Sequence, residues 1–210
     1  MKKMLLTIST IALLLSSCAS DNQRAYTGAG IGALTGGALG AVLGKGKGAA
    51  IGAILGGSIG GYVGHRMDNQ AKELEKIAET KRTEQGLVTK LKSDILFDSG
   101  KSDLKVGAVD NLKEMANIMK KYPENVLTIK GYTDNTGKAE KNDVLSAKRA
   151  IAVKQQLVAA GLPESVISTK GMGPSNPIAD NSSLDGRKQN RRVEIEIAVD
   201  ESKVPKEQRK

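Results

Sequence analysis

The chain contains one cysteine, Cys18, and one histidine, His65, so the side chains that most often do covalent or metal chemistry are nearly absent. A multi-Cys/His zinc site, an internal disulfide and a Cys–His nucleophilic pair are excluded, and neither a metal nor another cofactor is expected. Residues 87–200 hold neither residue type, which leaves an enzyme there only carboxylates to work with, and no catalytic residue is assigned. What this region does hold is a run of polar groups with strong turn chemistry, Thr133-Asp134-Asn135-Thr136-Gly137, followed by Asn142 and Arg149. By type alone, Asp134 can close an Asx turn, Asn142 can cap a helix and Arg149 can pair with a nearby carboxylate. Ligand binding by the same residues is the other reading, and their spacing leaves both open. His65, with no second ligand type beside it, reads as an interfacial polar residue.

Apolar periodicity over 87–200 supplies the elements that must position these groups. Leu91 to Phe97 reads as a strand; Ser102 or Asp103 then caps a helix with Leu104, Ala108, Leu112, Met115, Met119 and Tyr122 on one face, stopped by Pro123. Val126 to Tyr132 is a second strand, and Asn142 opens a second helix that turns Ala150, Val153 and Leu157 inward before Gly161 and Pro163 end it. Val166 to Met172 is a third strand. In the last, Arg192 to Val199, Val193, Ile195, Ile197 and Val199 alternate with Arg192, Glu194 and Glu196. The order βαβαββ predicts an α+β two-layer sandwich with its helices on one face of the sheet.

The 210 residues carry a net charge of +9, spread as +2, +2, +3 and +2 over 1–17, 18–86, 87–200 and 201–210. No segment is a basic patch, and aromatics are only 2%, so no nucleic-acid partner is expected. Lys2 and Lys3, the apolar stretch Met4 to Leu15, and small residues before Cys18 make a secretory signal peptide over 1–17. Leu15-Ser16-Ser17-Cys18 resembles the lipobox of bacterial lipoproteins, in which Cys18 becomes the lipidated first residue. Acyl chains such as palmitate hold a protein on a membrane because each buried methylene contributes ~0.8 kcal/mol. Ala19 in place of Asp, by resemblance to sorted lipoproteins, implies the outer membrane, with the chain facing the periplasm. Residues 18–26 are then a lipid-anchored tether.

From Gly28 to Gly64 a glycine stands at every fourth position, ten in succession, and residues 27–44 and 48–64 carry no charge. The segment reads as two apolar helices joined at Lys45-Gly46-Lys47, each ~25–27 Å long at 1.5 Å per residue. Glycine inside a helix costs about 1 kcal/mol relative to alanine, so something must offset the ladder, and close backbone approach in lipid does so. A membrane-associated glycine-zipper hairpin over 27–64 is the leading reading. A soluble zipper that assembles a homo-oligomer and a flexible linker are the others. Residues 65–86 read as a helical spacer with Met67, Ala71, Leu74 and Ala78 on one face, and 201–210 as a charged tail.

Five blocks in one order carry a family resemblance. They are Phe97-Asp98 followed by Leu104, Gly131 to Gly137, Asn142-x-x-Leu145-Ser146-x-x-Arg149-Ala150, Pro177 to Asn181, and Gly186-Arg187-x-x-Asn190-Arg191-Arg192-Val193-Glu194. Together they resemble the OmpA-type peptidoglycan-binding domain, and with the lipobox and the glycine ladder the whole resembles YiaD-like OmpA-family lipoproteins. Tyr132 departs from the pattern, since many members have His there. The resemblance implies a non-catalytic grip on the diaminopimelate of the peptidoglycan stem peptide. It implies that Asp134 takes the ammonium and Arg149 the carboxylate, with Asn142, Thr133, Asn135, Asp98, Asn190 and Arg191 lining the same groove. The expected function is a lipoprotein that tethers the outer membrane to the wall. The runner-up is a zipper-driven membrane or oligomer assembly protein that its wall-binding domain only positions.

Overall fold

The computed structural model describes residues 60–208; Cys18, the signal segment and the glycine ladder up to residue 59 lie outside the described residues. Helix α1 (Gly60–Leu74) leads into a hairpin of β1 (Glu79–Thr83) and β2 (Gly86–Lys92). A single helical turn, α2 (Ser93–Leu96), is followed by α3 (Val106–Met119), β3 (Asn125–Gly131), α4 (Ala139–Ala159), β4 (Ile167–Gly171), α5 (Leu184–Asn190) and β5 (Arg192–Val199). The five strands form one sheet in the order β1-β2-β5-β3-β4. β3 and β4 are parallel and joined through α4; the other pairs are antiparallel. The expected α+β architecture is therefore present, with one more strand at the edge and one more helix before the last strand.

The core lies where periodicity places it. Alternate residues Leu127 and Ile129 of β3 and Val193, Ile195 and Ile197 of β5 face Leu112, Met115 and Met119 of α3 and Ala150, Val153 and Leu157 of α4, all buried. Pro123 follows α3 closely, because proline lacks the N–H a helix interior needs.

Several boundaries differ from the sequence expectation. The strand expected over Leu91–Phe97 is instead β2, ending at Lys92, where its ladder with β5 ends at Lys92 opposite Arg192. Ser93 N–H then donates to Arg191 C=O at 3.0 Å, and the chain coils one turn so that Leu96 and Phe97 enter the core. α3 starts at Val106 after Lys105, with no side-chain cap, rather than at Ser102 or Asp103. α4 likewise begins at Ala139, so Asn142 sits inside its first turn and is not its cap.

The largest difference is in 65–86. The helix stops at Leu74, and Glu79–Thr83 pairs with β2 as the edge strand. Val63, Met67, Ala71 and Leu74 are buried in the common core. Arg66 pairs with Glu124 at 2.6 Å and stacks 4.8 Å from the Tyr122 ring centre, which fixes the helix to the end of α3. The periodicity of these apolar residues was legible, but nothing local says what they pack against. The charged tail also folds back, with Val204 buried in the core. Among the described residues no helix is long and apolar enough to cross a membrane.

If α1 belongs to the domain, Leu74→Ala should lower its stability by roughly 2–5 kcal/mol in denaturant titration, the usual loss for a fully buried leucine. A loss under about 0.5 kcal/mol, typical of solvent-facing positions, would return the helix to the role of spacer.

Candidate functional site

The polar residues singled out by the sequence meet where β3 ends against α4. Gly131, the last residue of β3, lies so close to α4 that a Cβ there would stand 2.1 Å from Ser146 C=O. Its ladder partner Gly171 is also tight, with a Cβ falling 2.8 Å from Ala147. Two glycines side by side thus let the helix backbone lie on the strand ends, which an alanine at either place would prevent. The loop 132–138 leaves that point, and Arg149 returns to it about three turns into α4.

Arg149 is 3% exposed. Its Nε donates to Lys101 C=O at 3.0 Å, and its guanidinium lies 5.2 Å from the Phe97 ring centre. It forms no ion pair with any carboxylate among the described residues, so the alternative in which it simply pairs with a nearby acid is not what the structure has. Burial pushes its pKa down, the Arg191 charge pushes the same way, and Asp134 alone pulls it back. The group nevertheless stays charged, as arginine does in proteins. Its free edge belongs to a cleft of about 180 Å³ whose walls include Ser93, Phe97, Asp98, Lys105 and Arg191.

Asp134 is taken by Arg191, whose Nη1 lies 2.6 Å from Oδ2. Oδ1 accepts from Thr136 N–H at 2.9 Å, so the Asx turn open to this residue is formed as well. Burial pushes the Asp134 carboxyl up, but the Arg191 hydrogen bond and the Thr136 donors outweigh it, and the pKa lies below the ordinary aspartate value. Arg149, Arg191 and Asp134 therefore lie within electrostatic reach of one another, two guanidiniums around one carboxylate.

The remaining candidates divide by position. Asn142 turns its amide back on the loop, donating to Thr136 C=O at 3.0 Å and Asp134 C=O at 3.4 Å, so it braces the turn that presents Asp134. Asp98 lines the cleft, 3.5 Å from Lys101 Nζ and 3.6 Å from Lys105 Nζ. Thr133 lies beside Asp134 with its N–H on Gly173 C=O, and its buried hydroxyl has no hydrogen-bond partner among the described residues. Asn135 is exposed on the turn. Asn190 is not at the cleft. Fully buried, it accepts from Ile178 and Ala179 N–H and donates to Ala179 C=O and Asn181 Oδ1, locking the loop ahead of α5. Tyr132 is buried beneath the Arg192 guanidinium, 3.7 Å from the ring centre, and burial aided by Glu194 pushes its phenol up to about 12. Phe97 and Lys105 are site residues that spacing does not reveal, since one reads as core and the other as a surface cation.

Residues 96–191, which span Phe97, Asp134, Arg149 and Arg191, match the sequence profile of the OmpA family. Over these residues the chain belongs to the OmpA family. Residues 1–68 match a second profile, the YMGG-like Gly-zipper. The chain is 38% identical to a protein described as probable lipoprotein YiaD from Escherichia coli strain K12, over 56% of this chain and 53% of that one. It is 43% identical to the peptidoglycan-binding protein ArfA of Mycobacterium bovis, over 49% and 32% of the two chains. The chain thus spans only a third to a half of these curated relatives. Among solved structures, the periplasmic domain of Helicobacter pylori MotB superposes with a TM-score of 0.54 at 31% identity, covering 59% of this chain and 89% of that domain. The OmpA-family fold assigned from the five sequence blocks is therefore the observed one.

A carboxylate whose pKa is lowered on folding contributes stability that is complete above the ~3.9 of an unfolded aspartate and is lost as pH falls through the folded value. Arg191→Ala should raise the Asp134 pKa, followed by NMR titration of the side-chain carboxyl, and so shrink the part of the acid-induced stability loss that this residue causes. An unmoved pKa would mean that the Arg191 contact does not form in solution.

Proposed function

We propose that this protein is an outer-membrane lipoprotein, anchored through Cys18, that binds peptidoglycan without cleaving it and so ties the membrane to the wall. The observation that carries the reading is Arg149, a buried guanidinium with its fork open to a cleft and no carboxylate paired to it among the described residues. A planar fork held by one Nε contact and an aromatic face suits a bidentate carboxylate. The diaminopimelate side chain ends in a carbon bearing both a carboxylate and an ammonium. Its carboxylate fits Arg149, and its ammonium fits Asp134, which uses two of roughly four acceptor positions on Arg191 and Thr136. At about 180 Å³ the cleft is smaller than the 300–1,000 Å³ of pockets that enclose whole ligands, which suits the tip of a side chain on a larger polymer.

The relatives support the same reading: ArfA is described as peptidoglycan-binding and YiaD as a probable lipoprotein. In this reading Asp98 and Arg191 complete the cleft, Thr133 and Asn135 shape the loop beside it, and Asn142 and Asn190 hold the scaffold. The glycine segment ahead of α1 lies in or against the membrane between the lipid and the domain.

The full-length protein should sediment with sacculi whose stem peptides contain diaminopimelate and remain in solution with sacculi that carry lysine instead. Removing one partner of a desolvated charge pair costs about 2–5 kcal/mol, so Arg149→Ala should weaken binding at least ~30-fold. Equal retention on both kinds of sacculus would sink the assignment.

A further inference from the structure

Helix α1 is held to the domain in a different way from α3 and α4. It packs against β1, β2 and α3 with Val63, Met67, Ala71 and Leu74 buried, and in the middle of that face stands Gln70, 1% exposed. Neither the nitrogen nor the oxygen of its amide has a hydrogen-bond partner among the described residues, and no side chain of α3 or α4 carries such an atom. An amide gives up its water on burial. Without a replacement bond the docked helix is destabilised against any state in which that amide is wet. Charged groups fill the rim of the contact. Arg66 bonds Glu124 and Lys121 C=O at the end of α3, Glu73 bonds Lys121 and Tyr122 there, and on the other side Arg82 of β1 bonds Asp68 and Gly64 C=O. The Lys121–Glu73 and Arg82–Asp68 pairs are largely open to solvent, where each contributes little and water replaces it when the helix leaves.

We infer that α1 is a releasable strap, which leaves the domain as one unit while the sheet, α3 and α4 stay folded. The inward residues of β3 and β5 face α3 and α4, so the central strands keep that cover when α1 goes. The β1–β2 ladder is a backbone contact that does not pass through the helix. Domains open in cooperative pieces of unequal stability, and an outlying helix with a hydrogen-bonding defect in its interface belongs to the weaker ones. The position of α1 in the chain gives its release a use, and this part rests on the proposed function above. The glycine repeat runs into α1 at Gly60, so a pull from the membrane side reaches α1 before any strand. Released, its 15 residues add about 22 Å to the link as a helix and up to about 50 Å as extended chain. The strap then lets the distance between membrane and wall change while the grip at each end is kept.

Hydrogen exchange of the full-length protein in detergent micelles, followed amide by amide by NMR, tests the strap. The amides of Met67 to Leu74 should exchange at one common rate, at least ~10-fold faster than those of β5. Val153→Ala, in the core beneath α4, weakens the docked and the released state alike, so it should speed β5 at least ~5-fold and leave α1 unchanged. Gln70→Met keeps the length of the side chain and removes both polar atoms, and should slow α1 about tenfold. Rates graded inward from Gly60 would mean fraying, and a Val153→Ala chain in which α1 speeds up together with β5 would mean that the helix opens only with the whole domain. Either overturns the strap, as does a Gln70→Met chain whose α1 exchanges no more slowly. Sedimentation with sacculi is read separately. A native chain that releases α1 but does not sediment loses the wall-binding reading and the use of the strap, whereas one that sediments without releasing α1 loses the strap alone.

Discussion

A guanidinium 3% exposed with no carboxylate against it is an expensive arrangement, because an isolated charge loses most of its hydration on burial. Among the described residues Arg149 retains one hydrogen bond, to Lys101 C=O, and the face of Phe97, and the Asp134 charge offsets only part of the loss. The acid whose charge acts on it, Asp134, is paired with Arg191, and that second guanidinium adds repulsion. An anion entering the cleft relieves both costs together. In the proposed function the site stays electrostatically incomplete until its ligand arrives, and the remainder of the fold has to supply the stability that holds Arg149 in place.

It does so through packing behind the site. The strand pair β3–β4 ends in two adjacent glycines, and α4 lies directly on them, so the helix that carries Arg149 is fixed relative to the strand that carries Asp134. Ala150, Val153 and Leu157, immediately after Arg149, are all fully buried against the sheet. Asn142 and Asn190 do comparable work on the two loops, Asn142 spending its amide on backbone carbonyls and Asn190 on backbone groups and the Asn181 side chain. Neither touches the cleft's cations, yet both decide where the loops run. Binding groups on loops above a rigid scaffold are a common solution, and here the rigidity is traceable to named contacts.

The N-terminal helix ties this domain to the glycine repeat. Gly60 and Gly64, the last two members of the four-residue series, belong to α1, and Val63, Met67, Ala71 and Leu74 of the same helix are in the core. Arg66 on Glu124 and Tyr122 fixes its orientation. The end of the repeat is thus joined to the binding domain by a packed helix, with no free linker between them.

Periodic signals are local, and those were readable from the sequence: the alternation of β5, the apolar face of α3, the inward residues of α4, and the turn at Asp134. The α+β class follows from them, whereas the grouping of Asp134 with Arg149 came from the resemblance carried by the five blocks. Tertiary structure alone decided three things. Residues 65–86 became a docked helix and an edge strand because their apolar face finds a core and Glu79–Thr83 finds β2, contacts that no window of neighbouring residues contains. Asn142 braces the turn and caps nothing, because α4 starts three residues earlier and its amide meets the loop carbonyls. Arg191, 57 residues after Asp134, takes that carboxylate and leaves Arg149 open, because pairing among charges depends on distances that folding sets and spacing in the chain does not record.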